Sequence, residues 1–346
     1  MISRRIFIKI AAGLTAFILP WTALPGICGN VVRNLLGRPA VLFGSDVSEE
    51  MIVPSDQTLS RKAMDDITVL AGDDLEGRRA GTAGETRTLV YLESQFKSLG
   101  LKSFSGDNYW QLFSIPAMKE TVINGRALFR PDANDTLRIP AANIVGGILG
   151  ENHNKTLILS AHFDHLGIYN GKLYPGANDN ASGVACILEV MRRLVKEKRE
   201  GFRPKINIAA AFWSGEEMGF RGSRYFIQNP LIPLEQIRGV INVDTVAYGA
   251  VSDFILWSAG EQSASLITTL KKAARVNGAM IETASGGGHH SDEFAFQGTT
   301  VPAVTLLSKE WLTLNHTPED TAEHINKEKL DMICSVVYKA VRSIAY

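Results

Sequence analysis

The strongest constraint on this chain is a series of short apolar runs with almost no polar interruption. They are Asn143–Leu149, Thr156–Ala161, Ile206–Trp213, Val240–Val243, Phe254–Trp257 and Val301–Leu307, each bounded by turn residues. A strand that is apolar on both faces must be covered on both. Helical stretches supply the cover. Ala83–Leu99 places Leu89, Leu92, Phe96 and Leu99 at helical spacing and stops at Gly100, a favoured residue just past a helix end. Ala181–Lys196 groups Val184, Ile187, Leu188, Met191 and Leu194 on one face, and Glu261–Asn277 and Lys327–Ile344 are further helical segments. Runs of this kind alternating with helices specify an α/β fold: a mostly parallel mixed sheet with helices on both faces.

Composition narrows the function. With 346 residues, 45% of them hydrophobic, the chain has enough apolar mass for a large core, which excludes disorder, collagen and coiled coil. Lys+Arg and Asp+Glu are both 36, so no global basic field favours nucleic acid. Three cysteines, Cys28, Cys186 and Cys334, are too few for a disulfide framework or a thiolate zinc site. Cys186 and Cys334 fall on apolar helix faces and read as free core thiols. A metal here would need imidazole and carboxylate ligands.

Open α/β sheets bind ligands beyond the carboxyl ends of their strands. Thr156–Ala161 is followed there by His162 and Asp164, Ile206–Trp213 by Glu216 and Glu217, and Val240–Val243 by Asp244. Asn315-His316 comes eight residues after the last run, and Asp179 opens the helix that begins near Ala181. His162 and Asp164, two apart on an extended segment, point to one face. The carboxylate can then hold one ring nitrogen while the other faces a metal. Asn180 or Ser182 can cap the following helix, which frees Asp179 for the cleft. Asp244 after three mostly apolar residues is costly to bury unless paired or metal-bound. Two cations with about three protein ligands each, sharing one carboxylate, account for this set, and hard N/O donors suit zinc. One of the adjacent glutamates is then spare to move a proton, and the implied chemistry is metal-assisted hydrolysis of an amide or peptide bond.

In order along the chain, these residues resemble the co-catalytic di-zinc aminopeptidases of metallopeptidase family twenty-eight. The likeness runs through Leu75-Glu76-Gly77-Arg78, Gly81-Thr82, Ala161-His162-Phe163-Asp164-His165 and Gly176-Ala177-Asn178-Asp179-Asn180-Ala181-Ser182-Gly183. It continues through Glu216-Glu217-Met218-Gly219, Gly222-Ser223, Asn242-Val243-Asp244, Ser291-Asp292, Val301-Pro302-Ala303 and His316-Thr317-Pro318-Glu319-Asp320-Thr321. The resemblance implies a three-layer zinc-exopeptidase sandwich that removes N-terminal residues from peptides. It assigns His162 and Asp244 to one zinc, Glu217 and His316 to the other, and Asp179 to both. It makes Glu216 the general base and Asp164 the acid that orients His162. It implies two Zn2+ per chain and a peptide substrate.

Some positions depart from that pattern. Many relatives have Tyr before the last histidine ligand, where its hydroxyl helps the oxyanion; here it is Asn315, which leaves the role to its amide or to a different group. Ser291-Asp292-Glu293 stands where relatives have Ser-Asp-His, and His289 and His290 lie just upstream, after Gly286-Gly287-Gly288. His165, three residues after His162, is not expected to be a ligand, and His153 and His324 carry no signal. The short stretch from Ser114 to Ala142 leaves no room for the larger inserted domain of some relatives, which favours open access and short peptides. The same ligand list also fits a glutaminyl cyclase, an enzyme on a related fold that uses one zinc. A deacylase or carboxypeptidase acting on other amides and a receptor-like binding relative are the remaining alternatives.

The N-terminus reads as an address. Arg4, Arg5 and Lys9 precede an apolar run from Ile10 to Ile27, with small residues near Gly26 to Gly29. The paired arginines resemble a twin-arginine export signal, which implies a bacterial protein, periplasmic or secreted. The organisation expected is therefore a signal peptide over 1–29, a linker or N-terminal arm over 30–58 and a zinc peptidase domain over 59–346. No stable membrane association is expected after signal cleavage. Nothing in the sequence fixes the oligomeric state.

Overall fold

The computed structural model describes residues 56–106, 108–123, 126–132, 135–284 and 290–346. The expected leader, most of the arm, Cys28, Gly286-Gly287-Gly288 and His289 lie outside the described residues. The helices are α1 (Asp56–Leu70), α2 (Ala83–Leu99), α3 (Ser182–Arg199), α4 (Arg221–Gln228), α5 (Ala264–Val276) and α6 (Lys327–Ala345). The first strands are β1 (Lys102–Ser103), β2 (Trp110–Pro116), β3 (Met118–Ile123), β4 (Arg126–Pro131), β5 (Arg138–Ile148) and β6 (Asn152–His162). They are followed by β7 (Gly167–Tyr169), β8 (Lys172–Tyr174), β9 (Ile206–Trp213), β10 (Ile237–Val243), β11 (Asp253–Ser258), β12 (Met280–Thr283) and β13 (Ala303–Ser308). Each expected apolar run overlaps a strand and each expected helix overlaps a helix. Helix α1 begins at Asp56, inside the segment assigned to the arm.

The main sheet has nine strands in the order β1-β5-β9-β6-β10-β13-β11-β12, with β2 also paired to β5. Its centre is parallel: β6 pairs in parallel with β9 and β10, and β10 with β13. Its flanks turn antiparallel, where β5 meets β9 and β11 meets β13. The sheet is therefore mixed, with the parallel order confined mainly to the middle.

Two-residue alternation divides the central strands between two cores. Leu157, Leu159, Ile208, Ala210, Phe212, Ile241 and Val243 join one core with Val184, Ile187 and Leu188 of α3 and Ile333 and Val337 of α6. Ile158, Ala209, Ala211, Trp213 and Val240 face the other way, against Phe226 of α4 and Phe296. All the strand residues of β9 are buried. Truncating one of these, such as Leu157→Ala, would cost about 2–5 kcal/mol. Cys186 and Cys334 are buried free thiols, as expected. Among the described residues no helix is long and apolar enough to cross a membrane.

This order positions the site. The chain leaves β6 through α3 to reach β9 on one side, and β10 then enters on the other side of β6. Connections that part in this way leave a crevice at the carboxyl ends of the two strands. His162 is the last residue of β6, and Asp244 is the first after β10.

Candidate metal centre

Three loops and two strand ends bring the predicted residues together in a cleft of about 520 Å³ lined by His162, Asp179, Glu216, Glu217, Asp244 and His316. His162 Nε2 lies 3.3 Å from Asp179 Oδ1 and 3.3 Å from Asp244 Oδ1. His316 Nε2 lies 3.3 Å from Asp179 Oδ2 and 2.9 Å from Glu217 Oε2. The two oxygens of Asp179 thus face two different His–carboxylate pairs. Glu216 joins the first pair, its carboxylate within 4.8 Å of both the His162 and the Asp244 donor atoms.

Local structure explains how Asp179 comes to be available. The N-cap position of the helix is Ala181, which offers no side-chain cap, rather than Asn180 or Ser182; Asn180 Oδ1, one residue earlier, accepts from the Gly183 amide at 2.9 Å, and Asp179 is left to the cleft. The Asp179–Asn180 peptide bond is cis. Gly176 has φ +62, and a Cβ there would stand 2.3 Å from the Asp179 carbonyl and 2.6 Å from the His165 ring, so only glycine fits. Asp320 pins the same loop, accepting from the amides of Asn178 (2.7 Å) and Asp179 (3.0 Å) and from the Tyr248 hydroxyl (2.7 Å). Because Asp320 belongs to the segment that carries His316, it ties the two ligand-bearing loops together. His316 itself has φ +59, a conformation that costs free energy for a side-chain-bearing residue and is held here by the surrounding loop.

Two expectations are corrected. The carboxylate of Asp164 was expected to hold the His162 ring, yet Nδ1 lies 3.1 Å from the Asp164 main-chain oxygen and 3.8 Å from Oδ1. The chain turns immediately after β6, which aims the carbonyl back at the ring. The carboxylate instead accepts the Glu216 amide at 3.0 Å and so fixes the loop after β9. Asn315 was offered as an oxyanion donor, but its Nδ2 is directed at Asp179 Oδ2.

His165 was given no role, and the fold places it inside the cluster. It is fully buried, with Nδ1 2.9 Å from Glu217 Oε1 and 4.0 Å from Asp179 Oδ1. Glu217 is thereby held between His165 on one oxygen and His316 on the other. The signal was a second histidine on a segment that leaves a strand and turns back. His290 lines the cleft wall, with Nδ1 3.2 Å from Glu293 Oε1 and its ring 4.4 Å from that of Phe294. His324 bonds Thr321 Oγ1, and His153 is exposed; neither lines the cleft.

The electrostatics follow from burial and mutual charge. Burial works against the imidazolium of His316, but Glu217 and Asp179 outweigh it and lift the ring to about 10. Burial would raise Glu217, while His316 and His165 bring it down to about 2 against the field of Asp179. Glu216 goes the other way. Burial holds it well above the usual carboxylate range; His162 opposes that, and Glu217, Asp292 and Asp244 add to it. Two adjacent glutamates are thus driven apart, Glu217 held as a firm anion and Glu216 pushed the other way, towards holding a proton. The donor set of imidazole nitrogens and carboxylate oxygens suits zinc. Among the described residues no hydrogen-bond donor serves the buried Asp244 Oδ1, as befits an atom that a cation would satisfy.

Comparisons with known proteins place the chain in a family. The model of peptidase family M28 matches residues 143–341, more than half of the chain. Aminopeptidase YwaD of Bacillus subtilis is 26% identical over 288 residues, covering 77% of this chain and 60% of that protein. Leupeptin-inactivating enzyme 1 of Streptomyces exfoliatus is 26% identical over 167 residues, 48% of this chain and 35% of its own length. The chain thus spans three-fifths or less of these relatives. Among solved structures, a zinc aminopeptidase from Bacillus subtilis superposes with a TM-score of 0.66 at 19% identity, over 83% of this chain and 95% of that one. A glutaminyl cyclase of Porphyromonas gingivalis gives a TM-score of 0.65 at 19% identity, over 82% and 98%. These two structures share the fold. With the family model spanning the strands and loops that build the cleft, the chain belongs to peptidase family M28.

Proposed function

We propose that this protein is an exported zinc aminopeptidase that hydrolyses the N-terminal residue from peptides, using two zinc ions. The observation that carries the reading is the placement of Asp179, whose two oxygens each face one His–carboxylate pair, His162 with Asp244 and His316 with Glu217. In this reading Asp179, facing both His–carboxylate pairs, would be shared between them, and Asp164 acts by fixing the loop that carries Glu216. His162, Asp179, Glu217, Asp244 and His316 would hold the zinc, which would supply Lewis acidity to the scissile carbonyl and to an attacking water. Glu216 takes the proton from that water and returns it to the leaving amine, a task matched to its raised pKa. His165 keeps Glu217 oriented. The apolar walls, including Phe129, Phe220, Trp257 and Trp311, favour a substrate with an apolar side chain at the cleaved end. Export rests on Arg4, Arg5 and the apolar run behind them.

Metal analysis of the purified protein should find about two zinc per chain, and a panel of aminoacyl arylamides should release chromophore until zinc is chelated. The cyclase alternative keeps a place because glutaminyl cyclases share the fold. Incubation with a glutaminyl peptide decides between them: free glutamine supports the peptidase, and ammonia with a cyclised terminus supports the cyclase.

A further inference from the structure

Arg78 ends the Leu75-Glu76-Gly77-Arg78 segment, and no part of the proposed chemistry uses it. Its side chain is completely buried. Nε donates to the carbonyl of Phe163 at 2.8 Å, Nη1 to those of Leu70 and Pro175, each at 2.6 Å, and Nη2 to that of Gly176 at 2.8 Å. Phe163 lies between His162 and Asp164, and Pro175-Gly176 leads into Asp179. The guanidinium therefore grips both ligand-bearing segments from behind. Every one of these bonds ends on a main-chain oxygen, and among the described residues no carboxylate forms an ion pair with it.

A buried cation without a carboxylate partner is costly. The acids whose fields reach it are Asp320, Asp179, Asp164 and Glu217, three of them drawn from the candidate centre. Burial lowers the guanidinium to about 10, so it remains charged at neutral pH. The metal centre in turn gathers more buried carboxylates than histidines. Each group supplies what the other lacks.

We propose that Arg78 is the resident counter-cation of this centre, a positioning residue that holds its carboxylate-bearing loops together in the metal-free protein by the same charge compensation that bound zinc supplies. The inference rests on reading the site as a zinc centre. It carries a sign that a simple clamp does not. A cation near the site opposes the arrival of another cation, so Arg78 stabilises the metal-free fold more than the zinc-bound one. Its removal must enlarge the stabilisation that zinc confers, because zinc binding and folding are linked. Loss of four carbonyl contacts alone would lower both forms equally.

The test is thermal melting of the full chain, metal-free and with added zinc chloride, for the native protein, Arg78→Met and Arg78→Lys. In Arg78→Met the metal-free form should fall further than the zinc-bound form, enlarging the zinc-induced rise in Tm by ~5 °C or more. Arg78→Lys keeps the charge and should keep the native zinc-induced rise, even if both of its forms melt earlier. Recovery of folded Arg78→Met only in the presence of zinc would be the extreme form of the expected result. If that variant folds in neither condition, Arg78→Gln takes its place under the same criterion. A zinc-induced rise in the neutral variant equal to or smaller than the native one overturns the proposal and leaves Arg78 a structural clamp. Absence of any zinc effect on the native protein overturns the zinc reading itself, and this inference with it.

Discussion

At the floor of the cleft, His162, Asp179, Glu217, Asp244 and His316 stand at strand ends or on loops pinned by buried groups such as Asp320 and Arg78. The walls are made differently. They draw Leu128 and Phe129 from the β3–β4 hairpin, Trp257 from β11, and His290 and Trp311 from connecting segments. The hairpin pairs only within itself, and Trp257 meets Trp311 edge to face at 5.5 Å. The floor is thus held by directional bonds to buried polar groups, the walls largely by aromatic contact. A floor of this kind tolerates little displacement, while the walls can change side chains without moving it. Chemistry and selectivity are accordingly separable in this molecule.

That separation can be broken or sharpened by substitution. The largest effect belongs to Glu216→Gln, which should retain zinc yet lose about 10²–10⁴-fold in turnover. Metal analysis beside steady-state kinetics checks it, and a fully active variant would remove Glu216 from the role of base. His165→Ala comes next. Freed from its 2.9 Å partner, Glu217 should lose orientation, and zinc affinity should fall by about 10–100-fold in chelator competition. A wall substitution, Trp257→Ala, should leave zinc content and kcat near native and raise KM about tenfold for bulky apolar N-terminal residues. An equal loss of kcat and zinc would show that walls and floor are mechanically one.

The smallest effect concerns Glu293, which lies beneath His290 where wall and floor meet. Burial raises its carboxyl from 4.5 to about 7, opposed by bonds from Thr305 and the Ser291 amide. The folded state therefore keeps a proton that the unfolded chain releases near its ordinary pKa. Stability from this group is present in acid and declines as pH rises through the window from about 4.5 to 7. Glu293→Gln should flatten that decline and stabilise the protein at pH 8 by at most ~3 kcal/mol, read as a higher Tm at pH 8 with little change at pH 5.

Much of the floor was legible in the sequence because topology demands it. Strands covered on both faces are mostly apolar, so the titratable residues at or just beyond the ends of β6, β9 and β10 stand out as His162, Glu216-Glu217 and Asp244. The involvement of Asn180 at the helix start was readable too, although the N-cap position itself falls on Ala181. What failed to show depended on turns. The direction of the Asp164 carboxylate, the return of His165 and the aim of Asn315 are set by loop dihedrals that residue spacing does not encode. Strand direction was also hidden, since the apolar run at Phe254–Trp257 looks the same whether β11 lies parallel or antiparallel to β13. The hairpin was missed as well, because its short segments carry no uninterrupted apolar run.

The independence of the β3–β4 ribbon has one more consequence. It shares no backbone ladder with the nine-stranded sheet, so lengthening, shortening or replacing it need not shift the register of any strand that carries a ligand. An engineer wishing to retarget the protein could rebuild residues 118–123 and 126–131 from solvent, keeping Phe129, which packs on Leu166 and Met218, and the Glu120 pairing with Arg79.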